Sequence, residues 1–515
     1  MALAALLGAT VVEHWWLRAL KYDDAWIHLR YAANLAAGRG FVFNPGERVL
    51  GSAAILWTVG LAGLARVVGP AALPDATSVA NGVGLAAVAL TAAWAVRRLV
   101  PVWAALAVGG FLVSHGPLRS ASVGGMETTL LALLEVAALG ALVRERWTAA
   151  GVLAGTACGV RVEAVFLAGA VVGAAWWRRG PVVRTALATA VVPLLVYGWA
   201  WAYFGHPLAQ STQAKRIVYS PPVGAAFGIS TDALLEALPV VPGAEGILRW
   251  VALAGWTLLA AAGTRRLARR TPAGAWIAVA VGATVAFYAV LNPFMFVWYP
   301  CTFVPLGTVL ALLGLVDLAA RVPGLRRAPH AVALATAVLL AAGPLRAAWW
   351  PFVPPESARF RYAHPNGYAN ARVYRYAEIG RWLAARARPT DRVCLPEIGA
   401  LGWYWPGRVL DAAALVSPEV LPYHPLPPGT RRTSTTGAVP PEAVRDFQPE
   451  LVVGLEVFVE GLVRDPWFQA HYVPLARWAW FDGPAAWEGV PERLWGSAWV
   501  LAFRRRDVPW PDGAP

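Results

Sequence analysis

Long apolar stretches separated by short polar ones fill residues 1–347, and ordinary mixed sequence fills the rest. Judged against the ~20 apolar residues that cross a bilayer as a helix, the pattern predicts spans at 2–20, 77–96, 101–116, 127–143, 148–160, 164–177, 183–203, 247–263, 274–291, 300–320 and 329–347. The pair 148–160 and 164–177 is short and reads as a hairpin bent at Arg161–Val162–Glu163. Residues 53–71 are apolar too, but counting them as a span reverses the sidedness of every later loop, so they read as a re-entrant or surface helix. Beyond residue 348, runs with strand character at 392–395, 408–410, 451–454 and 498–503 alternate with helix-like and Pro-rich stretches, which predicts an α/β domain. The tail 509–515 is expected to be disordered.

Between the first two spans lies a different pattern. At helical period, Asp23, Asp24, Ile27, His28, Arg30, Tyr31 and Asn34 share one face, and Ala25, Trp26, Leu29, Ala32 and Ala33 the other. The segment therefore predicts an amphipathic helix along a membrane surface that begins with two adjacent carboxylates. Gly38, Gly40 and Asn44–Pro45–Gly46 end it and start a turn-rich loop.

Composition settles the class. An apolar fraction of 58% with only 14% charged residues excludes a string of soluble domains in 515 residues. The net charge of +14 is carried by arginines clustered between apolar runs, a topology signal rather than a nucleic-acid footprint. Cys158, Cys301 and Cys394 are too scattered for a disulfide framework or a metal cluster. The expected architecture is a polytopic α-helical membrane protein of about eleven transmembrane helices, residues 1–347, with a first outer loop at 21–76. An extracytoplasmic α/β domain over 348–508 completes it, with the boundary near Trp349–Trp350–Pro351.

Arginine clusters at 97–98, 144–146, 178–184, 265–270 and 321–327 fall in alternate loops if the amino terminus is cytoplasmic, as the positive-inside tendency requires. With that orientation Asp23, Asp24, His28, Tyr31, Asn44, Glu47, Glu127, Arg161, Glu163, Gln210, Lys215, Arg216, Trp298 and Tyr299 all lie on the outer side, where one cavity would collect them.

Each candidate has a chemical and a structural account. Adjacent Asp23 and Asp24 repel, so one pKa rises toward the range of a general base; the structural account, acids favouring a helix amino terminus, suits one Asp better than two. Glu127 either lines the cavity or matches its own helix dipole. Arg161 either faces a phosphate or is neutralised by Glu163, which is the more economical account for a charge between apolar runs. Lys215 is one of two lysines in the chain. With Arg216 it forms an outward basic pair, against the topology rule, that suits an anionic lipid phosphate or headgroups in general. Trp298 and Tyr299 are interface anchors or a wall for stacking a sugar.

These residues, in this order, resemble a known group. The stretch from Asp23–Asp24–Ala25–Trp26 to Asn44–Pro45–Gly46–Glu47–Arg48 resembles the first outer loop of bacterial GT-C membrane glycosyltransferases of the terminal arabinofuranosyltransferase type. More distantly, the chain resembles the protein mannosyltransferases and lipid A aminoarabinose transferases. Gly125–Met126–Glu127–Thr128, Arg161–Val162–Glu163 and Ala214–Lys215 look like further landmarks, with a looser likeness at 396–402 and 415–419.

The resemblance implies an enzyme of the bacterial plasma membrane that moves a sugar from a polyprenyl-phosphate donor to a hydroxyl of a cell-envelope glycan, lipid or protein on the extracytoplasmic face, with inversion. Asp23 or Asp24 would be the base, and Lys215, Arg216 and Arg161 the phosphate ligands. His28, Tyr31, Asn44, Glu47, Glu127, Glu163, Gln210, Trp298 and Tyr299 would line the cavity. No cofactor is required, since basic residues can stabilise the leaving phosphate, although a divalent cation is compatible with the acids. Relatives often continue Gly–Glu–Arg–Val–Glu–Gly, whereas here Leu50 and Ser52 follow in Gly46–Glu47–Arg48–Val49–Leu50–Gly51–Ser52, which leaves the sugar open. The rival is a non-catalytic carrier or flippase for lipid-linked sugars.

Overall fold

The computed structural model describes residues 2–219, 221–235, 246–321, 367–427, 438–480 and 493–511. The expected span 329–347, the boundary near Trp349 and the last four residues of the tail lie outside these. The chain divides into two compact units that do not follow a single cut at residue 348. One comprises Met1–Arg18, Thr77–Trp199 and Val223–Phe352; the other comprises Ala19–Ala76, Ala200–Pro222 and Val353–Pro515.

The first unit is helical. Among the described residues of the chain, Leu73–Val96, Val182–Phe204, Ile247–Arg270 and Pro272–Leu291 are long and apolar enough to cross a membrane, and together with the composition they mark a membrane protein. Other expected spans correspond to shorter helices, among them Val102–Ser114, Thr128–Leu142, Trp147–Val160, Val162–Trp177 and Val304–Ala319. Ala225–Leu235, inside the expected loop 204–246, is also helical; Ser230, Thr231 and Asp232 hide its apolar character. Helices Ile247–Arg270 and Val304–Ala319 cross backbone against backbone. A Cβ on Gly263 would sit 1.9 Å from the Leu310 carbonyl oxygen, and one on Gly314 1.9 Å from that of Leu259. Small residues at such crossings replace the hydrophobic drive that lipid does not provide.

The second unit is mixed. Strands β1 (Val393–Leu395), β2 (Val409–Asp411), β3 (Leu451–Leu455), β4 (Tyr472–Ala479) and β5 (Trp499–Arg505) form one sheet in the order β2-β1-β3-β5-β4. β1 is parallel to β2 and β3, whereas β5 runs antiparallel to β3 and β4. The first three strands are buried throughout, as their unbroken Val/Leu runs require of strands covered on both faces. β4 was not legible as a strand because Pro474 and Arg477 interrupt it. It tolerates them at the sheet edge, where the ladder breaks register between Pro474 and Ala476.

The same unit contains the amphipathic segment, a helix from Asp23 to Ala36. It does not leave a polar face to solvent: every residue from Ala25 to Asn34 is buried. The polar face is satisfied by protein instead. Arg30 donates to the carbonyl oxygens of Phe43 (2.9 Å), Trp405 (3.2 Å), Gly407 (3.1 Å) and Gly402, and its guanidinium covers the Phe43 ring. Asn34 donates to the carbonyls of Val42 and Phe43 at 2.8 and 3.0 Å. A buried guanidinium is tolerable only when its N–H groups are taken up in this way.

Candidate functional site

The acidic pair sits at the first turn of the Asp23–Ala36 helix. Its surroundings come from three stretches distant in sequence but within the second unit. Asp23 Oδ2 accepts the Gly399 amide at 2.9 Å and Oδ1 the Ala400 amide at 3.0 Å. These are the second and third residues of the short helix Ile398–Tyr404, whose own preceding residue, Glu397, makes no capping bond. Asp23 therefore supplies the cap from another part of the chain. The approach is close enough to require glycine, since a Cβ on Gly399 would lie 1.9 Å from the Asp23 carbonyl oxygen.

Asp24 points differently. Its Oδ2 meets Lys215 Nζ at 3.1 Å, and both side chains are part-buried. Lys215 is carried by the helix Gln210–Val218, on which Arg216 is exposed.

The electrostatics are lopsided. Asp23 is pushed up from the ordinary carboxylate range to about 7, first by burial and then by the like charge of Glu397, with a smaller push from Asp24; its two amide bonds pull the other way. Glu397 follows β1, and Arg372 Nε donates to its Oε1 at 2.5 Å. Asp411, at the end of β2, is fully buried and also raised to about 7 by burial, although it accepts the amides of Ala413 (2.8 Å), Leu415 (2.6 Å) and Val416 (3.0 Å). Burial likewise pushes the Tyr219 hydroxyl upward. Acids thus gather at the carboxyl ends of the parallel strands β1 and β2, where open α/β sheets place their ligand crevices.

The other predicted residues of this unit do structural work around the pair. His28 Nδ1 is 2.8 Å from Ser52 Oγ, and Tyr31, fully buried against Phe41 and Phe43, donates to the Val49 carbonyl at 2.6 Å. Asn44 exchanges two hydrogen bonds with the Val409 backbone, at 2.9 and 3.0 Å, tying the loop to β2. Glu47 pairs with Arg408, which also bonds Glu419 at 2.6 Å. The Gln210 amide donates to Leu50 O at 2.7 Å.

Glu127, Arg161, Glu163, Trp298 and Tyr299 belong to the first unit and cluster there. Arg161 bonds Glu127 at 2.6 Å and Glu163 at 2.7 Å, and its guanidinium lies 4.7 Å from the Tyr299 ring centre. Tyr288 donates to Glu163 at 3.2 Å, and Trp298 is buried in a 4.8 Å stack on Phe296. The sequence pattern placed all these side chains in one cavity, but it could not say which unit each would join.

Glu397, Arg372 and Asp411 were not singled out by sequence. The available signal was the looser likeness at 396–402 and 415–419: these segments supply Glu397, Gly399 and Ala400, and the partners of Asp411 and Arg408. Among the described residues no three His, Cys, Asp or Glu side chains converge to hold a metal ion.

Known structures share this fold. The chain is similar to ArnT from Cupriavidus metallidurans bound to undecaprenyl phosphate, at 13% identity and a TM-score of 0.55, with 97% of each chain covered. It is also similar to the archaeal oligosaccharyltransferase AglB from Archaeoglobus fulgidus in complex with an inhibitory peptide and a dolichol-phosphate. There the identity is 12% and the TM-score 0.54, over 92% of this chain and 72% of that one. The apo form of the Archaeoglobus fulgidus oligosaccharyltransferase gives 13% and 0.52, over 88% and 69%. The fold is that of these proteins. A family described as a domain of unknown function (DUF8728) matches residues 365–503, and no curated protein matches the chain.

Proposed function

We propose that the chain is a membrane glycosyltransferase that moves a sugar from a polyprenyl-phosphate donor to an acceptor hydroxyl on the extracytoplasmic face. The observation that carries the reading is the Asp24–Lys215 pair, a carboxylate and a cation 3.1 Å apart beside a second carboxyl that titrates near neutrality. Displacement at an anomeric carbon uses a base for the incoming hydroxyl and a cation for the departing phosphate, and the pair offers one of each. Support also comes from the fold, shared with proteins crystallised with undecaprenyl phosphate and dolichol-phosphate.

In this reading Asp24 takes the acceptor's hydroxyl proton as the oxygen forms its bond to the anomeric carbon. The bond from that carbon to the phosphate oxygen breaks, and its electron pair leaves on the phosphate, which Lys215 faces with Arg216 close by in the same helix. Attack from the side opposite the phosphate inverts the anomeric centre. Asp23, with both oxygens engaged by the 399–400 amides, holds the geometry behind Asp24. The alternation of arginine clusters supports the outward placement.

The test is transfer from synthetic polyprenyl-phosphate sugars by the purified protein in lipid. Wild type transfers and the D23N/D24N double variant does not. Donor binding with no transfer by wild type, unchanged in the double variant, would turn the reading into the carrier or flippase.

A further inference from the structure

Glu397 is the least explained charge of the mixed unit. It is nine-tenths buried, lies two residues beyond β1, and is held at Oε1 by Arg372, whose guanidinium also lies 4.8 Å from the centre of the Trp495 ring. Its Oε2 is buried and meets no hydrogen-bond donor among the described groups. A carboxylate kept half-satisfied in such a place costs stability and asks for a reason. The reason lies two and three residues onward, where the amides of Gly399 and Ala400 grip both oxygens of Asp23.

We propose that Glu397 is a positioning residue of the transfer site: braced by Arg372, it sets the 397–400 turn against Asp23 and faces that carboxyl with a like charge. The inference rests on the transferase reading given above. It makes the C-terminal stretch matched to DUF8728 a contributor to the chemistry rather than a separate acceptor-docking module.

The charged and titratable groups near Asp23 include Asp24 with Lys215, Glu397 with Arg372, Tyr376, Asp411 and the buried Lys21 two residues before it. Glu397 is the largest like-charge influence on Asp23. Arg372 opposes it twice, by neutralising Glu397 and by its own attraction to Asp23. Removing one or the other must therefore move Asp23 in opposite directions, which the loss of a bracing contact would not do.

The experiment uses the full chain in lipid nanodiscs, as wild type, E397Q and R372Q. Sugar transfer from a polyprenyl-phosphate donor and the thermal unfolding midpoint are both followed from pH 5 to 8.5. In E397Q the acidic limb of transfer should move down by about one pH unit, and in R372Q up by a similar amount. The pH range over which the midpoint falls should move the same way in each. Limbs that stay in place, or move in one common direction, overturn the proposal. If E397Q does not fold, the upward move in R372Q decides alone. If wild type transfers nothing while the unfolding curves still separate in opposite directions, the link between Glu397 and Asp23 stands and the transferase reading falls.

Discussion

Two clusters of buried charge, one in each unit, solve the same problem differently. In the helical unit Arg161 is matched directly by Glu127 and Glu163, with the Tyr288 hydroxyl on Glu163 and the face of Tyr299 beside the guanidinium. In the mixed unit Asp24 meets Lys215 and Glu397 meets Arg372, while the buried carboxyls of Asp23 and Asp411 are raised to about 7. A matched cluster is a fastening. An unmatched one is poised to exchange a proton, which is where functional groups are found.

The sharpest way to break this contrast is D24N. Transfer should fall about 10²- to 10⁴-fold, the usual worth of a positioned base, with an unfolding midpoint within a few degrees of wild type; product release from labelled donor measures it. R161M should show the reverse balance. It leaves Glu127 and Glu163 without their cation, and the fold should lose about 3–5 kcal/mol, read as a lowered midpoint and poor yield. Adding E127Q and E163Q to R161M should recover part of that loss, since the stranded charges are then gone.

A smaller effect is expected of G399A. The added Cβ meets the Asp23 backbone, so the Ile398–Tyr404 helix must shift, at about 1–3 kcal/mol. Transfer should fall with stability, and a midpoint unchanged from wild type would mean that the contact yields freely.

The gentlest test is pH. Folded Asp23 keeps its proton to about pH 7, whereas the unfolded chain releases it near ~3.9. Between those values the folded state binds more protons, so stability falls as pH rises. Asp411 acts in the same sense. D23N should flatten the decline in midpoint between pH 4 and 7 and leave the part due to Asp411.

Much of the protein was written locally. Apolar runs marked the helices, the 23–36 periodicity marked the helix that carries the acidic pair, and Val/Leu runs marked four of the five strands, because period and burial are set by neighbouring residues. The outer-loop motif also pointed to Asp23, Asp24 and Lys215 as residues worth joining. What stayed hidden depended on distant chain segments meeting. Arg30 and Asn44 look like surface groups until the carbonyls of Gly407 and Val409 reach them, and β4 is a strand only because an edge tolerates Pro474.

Charge itself was legible from the residues; its state was not. Sequence determined that this is a membrane protein with an acidic pair opening a helix beside a polar loop. Only the tertiary structure decided that Asp23 caps a helix 375 residues away, that burial and then Glu397 raise its pKa, and that Arg161 meets Glu127 and Glu163. Solvation and Coulomb forces depend on distance in space, and folding alone sets those distances.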